Sequence, residues 1–140
     1  MKRYLLAASI LLSAASAAAA GGKDTITYDC AMKVFTNNGW IAPRVLVMWD
    51  EENQSAQIYD GYIHKLVGEP IPAKVSPRNE ISYNLDWRVN NIPVSNARMT
   101  LDGLYSAVLN TKQNTLSIRG VITGVANQPR GKGKCIVKKG

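Results

Sequence analysis

Catalysis in this chain would have to begin at His64, its single histidine, since no other side chain type changes charge near neutrality without a large perturbation. The residue follows Asp60-Gly61-Tyr62-Ile63, and an extended reading of Ala56 to Lys65 sets Asp60, Tyr62 and His64 on one strand face. Positions i and i+4 on a strand lie about 13 Å apart, too far for a carboxylate to bond an imidazole directly. The expectation is therefore a surface or half-buried histidine, not a general base. No G-x-S-x-G, H-E-x-x-H or C-x-x-C is present, so the common serine, zinc and redox signatures fail. Carboxylates from distant strands, such as Asp60 with Asp86, are the remaining route to an enzyme with an unrecognised site. No cofactor and no metal are implied.

Charge offers more than catalysis does. The 140 residues carry 17 Lys and Arg against 10 Asp and Glu, a formal +7. All the acids lie at or before Asp102, whereas Lys112, Arg119, Arg130, Lys132, Lys134, Lys138 and Lys139 follow it with no acid among them. The densest part is Gln128-Pro129-Arg130-Gly131-Lys132-Gly133-Lys134, read as a flexible basic loop. Such a segment suits an anionic surface: lipid head groups, lipopolysaccharide or a polyanionic polymer. The alternative is a solvated basic loop with no partner. The Walker spacing G-x-x-x-x-G-K-[ST] is absent, and no aromatic interleaves these cations as nucleic acid would favour. Trp40, set beside the turn Asn37-Asn38-Gly39, is expected as an exposed contact residue. The candidate binding residues are thus Arg130, Lys132, Lys134, Lys138, Lys139 and Trp40.

The first twenty residues predict a destination. Lys2 and Arg3, then an apolar run through Leu12, then small residues to Ala18-Ala19-Ala20, have the three parts of a cleaved secretory signal. The alternative, a membrane anchor, would want about 20 strongly apolar residues. Removal of residues 1–20 leaves one domain over 21–140, periplasmic or secreted, that does not span a membrane and rarely meets nucleic acid. In an oxidising compartment Cys30 and Cys135, the only cysteines, can bridge in a single way, tying the first element to the last. Two buried free thiols are the competing reading.

The elements that must hold these residues follow from a period of two. Ile81, Tyr83, Leu85, Trp87 and Val89 alternate with Ser82, Asn84, Asp86, Arg88 and Asn90, a strand with one dry and one wet face. Arg44 to Asp50 is apolar on both sides, and further strands are expected at Thr25 to Phe35, Ala56 to Lys65, Ile71 to Val75, Arg98 to Asn110, Thr115 to Thr123 and Gly133 to Lys138. No segment has helical period. About eight short strands predict an all-β antiparallel domain, and a bridge between first and last favours a small lipocalin-like barrel over a sandwich. The tryptophans and tyrosines then serve mainly as core, with a lined ligand cavity as the other reading.

The leader, Tyr28-Asp29-Cys30, Ala56-Gln57-Ile58-Tyr59-Asp60-Gly61, Pro70-Ile71-Pro72-Ala73 and Gly133-Lys134-Cys135 together resemble small exported β proteins of Gram-negative bacteria. That likeness implies export and an all-β fold but no activity. In size and in cysteines near both ends the chain is also similar to the periplasmic C-type lysozyme inhibitors, whose inhibitory loop reads Ser-Gly-Ala-Arg-Tyr. Ser95-Asn96-Ala97-Arg98-Met99 matches three of those five positions. This resemblance implies a protein target, a secreted enzyme. Like charge on a basic inhibitor and a basic lysozyme would oppose their encounter.

Overall fold

Alternation assigns every strand residue to one of two faces, and here one face closes on itself. In the computed structural model, which describes residues 25–35, 39–94, 98–126 and 128–139, eight strands run in chain order. They are β1 (Thr25–Val34), β2 (Arg44–Asp50), β3 (Ser55–Asp60), β4 (Ile71–Pro77), β5 (Ser82–Pro93), β6 (Thr100–Asn110), β7 (Thr115–Ile122) and β8 (Arg130–Lys139). Each is antiparallel to the next, and β8 returns to pair with β1, so the sheet is a closed barrel. The expected all-β barrel and its Cys30–Cys135 bridge are both present. The leader expected at residues 1–20 lies outside the described residues.

The two cysteines face each other across the closing seam, with 3.9 Å between their Cα atoms. Cys135 directs its N–H away from β1 to the Asn114 carbonyl, so Cys30 and Cys135 form a non-hydrogen-bonded pair. At such positions the strands approach most closely, which is where a bridge fits.

Inside the barrel the aromatic residues fill the space. Trp49 and Tyr83 lie 4.4 Å apart between ring centroids, and Trp87 stacks on Tyr105 at 5.6 Å and 16°. These rings pack with Val45, Val47, Ile58, Leu85, Leu109 and Leu116 as one core. Leu46 and Met48 of β2 point outward and are only half-buried, so that strand has one fully dry face, not two. The inner wall is apolar and the outer wall carries Arg88, Asp102 and Arg119, a polarity opposite to that of a transmembrane barrel.

Three further expectations about the elements need correction. The strand begun at Ser55 ends at Asp60, and residues Gly61–Leu66 form a short helix, α1. Asp60 is extended and accepts a hydrogen bond from the Ile63 N–H at 2.9 Å, an N-cap that starts a helix where alternation alone implied a strand. Gly68, at φ 86°, gives the chain the left-handed turn that lets it leave α1. Second, the strand read by alternation over Ile81 to Asn90 continues to Pro93 through a bulge at Asn90 and Asn91, which returns Ile92 to the inside. Third, the basic segment from Arg130 is not a loop but the start of β8.

Candidate functional site

That third correction decides where the charge goes. In Arg130-Gly131-Lys132-Gly133-Lys134 the glycines face inward and are buried, and the cations face outward. The glycines are there because the interior has no room. A Cβ on Gly133 would lie 2.2 Å from the Ala31 carbonyl oxygen and 2.9 Å from Met32 Sδ, and one on Gly131 3.1 Å from the Lys33 carbonyl oxygen. Gly103 and Gly120, on β6 and β7, likewise leave space for the Tyr105 ring. Small inward residues thus draw the wall of β6, β7 and β8 toward the core.

Outside that wall lies a groove of about 760 Å³ that crosses β4 to β8. One bank is Arg119 of β7 with Arg130 and Lys132 of β8; Phe35, just past β1, stands at the same side. The other bank is Arg78, beyond the end of β4, with Ser76 and Asn84. Between them the floor carries Asp86, Ser106, Val108 and Ser117, all outward-facing residues of β5, β6 and β7. Ser106 donates its hydroxyl to Asp86 at 2.6 Å, and Arg78 reaches the Asn84 side-chain oxygen at 3.5 Å.

The register stacks the cations against one another. Arg119 pairs with Arg130, and Lys132 pairs on its other side with Lys33 of β1. Like charges directly opposite on a sheet destabilise it. Among the described residues, the carboxylate ion pairs are Arg44 and Lys138 with Asp29, and Arg88 with Asp102. None of the groove cations has such a partner there.

The residues expected to bind therefore separate. Arg130 and Lys132 line the groove, and Lys134 continues their row along β8 outside it. Lys138 is engaged at 3.4 Å with Asp29, whose carboxyl is held down to about 2, first by the Arg44 hydrogen bond and then by Lys138. Lys139 lies at the far end of β8. Trp40 is half-buried against the core instead of exposed, and its carbonyl accepts the Tyr105 hydroxyl at 2.7 Å. Its neighbours Ile41 and Ala42 are buried, so this segment plugs one end of the barrel. Arg78, Arg119, Asp86, Ser106 and Phe35 were not singled out by the sequence as binding residues. Cross-strand register was the missing signal, because they come from three different strands and two flanking segments.

His64 does not line the groove. His64 is exposed on α1 and shares a hydrogen bond with the Tyr59 hydroxyl. Asp60 caps the same helix, and burial raises its carboxyl despite the N–H groups of Ile63 and Tyr62, while Asp86 lies in the groove. Among the described residues no three His, Cys, Asp or Glu side chains gather as a metal site would require. Of the Ser95–Met99 motif, residues 95–97 lie outside the described residues.

The fold and groove define a class, an eight-stranded antiparallel barrel with a basic cleft on its outer wall. No protein-family model, no curated protein and no solved structure matches this chain.

Proposed function

We propose that this is a non-catalytic binding protein of the bacterial envelope or its exterior, and that it holds an anionic envelope component in the β4 to β8 groove. The observation that carries the reading is the facing pair Arg119 and Arg130 beside Lys132, with Arg78 across the groove. Four cations crowd one concavity without a carboxylate ion-pair partner among the described residues, a costly arrangement that an anionic ligand relieves. The signal-like leader and the seam disulfide support export.

The test is binding of dextran sulfate of fixed length over a salt series. Arg119→Gln with Arg130→Gln removes two charges from the groove. Lys65→Gln with Lys112→Gln removes the same charge from α1 and from the β6–β7 turn. Affinity lost only in the groove variant supports the reading. Equal loss in both, or a wild type that ignores the polymer at low salt, overturns it.

A further inference from the structure

We infer that the occupant of the groove is an acidic polysaccharide, an extended glycan bearing carboxylates, in preference to a polyphosphate or a lipid surface. The inference rests on the anion-binding reading above and adds the chemistry of the ligand. Three features carry it.

The first is the carboxylate at the centre. Asp86 sits on the groove floor between the Arg78 bank and the Arg119, Arg130 and Lys132 bank, and Ser106 occupies one of its oxygens at 2.6 Å. Its other oxygen, Oδ2, accepts no hydrogen bond from another described side chain, although the register sets Lys74 of β4 opposite Asp86. A ligand charged at every unit along its length, as a polyphosphate is, would place an anion against it. A glycan places hydroxyls there, and a carboxylate accepts hydrogen bonds from neighbouring hydroxyls well. Acid groups on flanking sugars then reach the guanidinium groups on both banks, whose planar forks fit carboxylates.

The second is shape. The cations line a concavity, not a convex face. A flat lipid surface meets a barrel at its protruding residues and does not follow a groove that runs between two banks of cations. A single chain can lie within.

The third is Phe35. It is 65% exposed beside Arg130, whose carbonyl accepts the Phe35 N–H at 2.9 Å. An exposed ring at the mouth of a polar groove offers a flat apolar surface to the C–H face of a pyranose. Val108 on the floor adds a second apolar contact.

The probes are a hyaluronan octasaccharide, in which glucuronate alternates with a neutral sugar, a maltooctaose of equal length, an inorganic polyphosphate of equal charge, and vesicles containing phosphatidylglycerol. Binding to the intact disulfide-bonded protein is read by calorimetry at one ionic strength. The uronate octamer is expected to bind tightest. Asp86→Ala and Phe35→Ala should each weaken it by about tenfold, the loss of one or two good contacts. Asp86→Ala should strengthen polyphosphate, since it removes a repelling charge. Ser106→Ala provides a second variant, with the fold checked by circular dichroism, should Asp86→Ala fold poorly. If polyphosphate or vesicles bind as tightly as the octamer, or if Asp86→Ala and Ser106→Ala both leave octamer binding intact, the glycan assignment falls while the basic groove stands. If no anionic probe binds at low salt, both fall.

Discussion

Arg119 and Arg130 face each other across β7 and β8 at a non-hydrogen-bonded position. The flanking Gly120 N–H bonds to the Pro129 carbonyl, which places the ladder bonds on either side of the pair and not within it. There the side chains of antiparallel neighbours come closest. Two guanidinium groups in that geometry oppose the sheet that carries them.

Arg119→Gln should therefore raise stability slightly at low ionic strength, even as it weakens anion binding. The gain over the wild type should vanish at about 1 M salt, where charges are screened beyond about 3 Å. Urea unfolding at both ionic strengths checks this. A loss of stability would mean that Arg119 is part of the scaffold.

The seam depends on its covalent link. Cys30 and Cys135 are 105 residues apart, and a crosslink of that span stabilises by at most about 5 kcal/mol in the chain-entropy view. The double variant Cys30→Ala with Cys135→Ala should lose about 2 to 5 kcal/mol in urea unfolding. Added reductant should lower the wild type similarly and leave the variant unchanged.

Gly133→Ala should destabilise the barrel by about 1 to 3 kcal/mol or more, because the new methyl meets the Ala31 backbone, which cannot move aside as the Met32 side chain can. Gly61→Ala serves as the control. Nothing lies within 4 Å of its Cβ, and alanine favours the first turn of α1. Thermal melts of the two variants should shift in opposite directions or leave Gly61→Ala unmoved.

Asp29 sets part of the acid limb. Its carboxyl titrates near 2 in the folded chain, against an ordinary 3.8. The folded state thus binds its proton less readily, and the stabilisation is complete above the ordinary value and disappears as pH falls from about 4 to about 2. Asp29→Asn lacks that component. Wild type and variant should differ in urea stability above pH 4 and converge near pH 2; a constant gap would contradict the ion pairs with Arg44 and Lys138.

Strand faces were legible because alternation is local. Tyr83, Leu85, Trp87 and Val89 point inward as their spacing implied. The closing of β8 on β1 could be argued from two cysteines alone. Helix α1 was hidden because one side-chain cap at Asp60 outweighs a period-two pattern only five residues long. The glycines of β8 misled in another way. Gly131 and Gly133 read as flexible punctuation, yet a side chain at Gly133 would collide with Ala31 and Met32 and one at Gly131 would crowd the Lys33 carbonyl, residues a hundred positions earlier. The groove was invisible for the same reason, since Arg78, Asp86 and Arg119 become neighbours only through register.

The seam also sets an order of events. Seven of the eight strand pairings join consecutive strands, and the eighth joins β8 to β1. The same strand supplies Arg130 and Lys132 to the groove and Cys135 to the bridge. A chain that becomes available from its N-terminal side can zip β1 to β7 in sequence, yet lacks Arg130 and Lys132 in the groove. On the proposed function, ligand capture would wait until the barrel is shut, and a thiol oxidised at Cys135 would mark a molecule whose groove is complete.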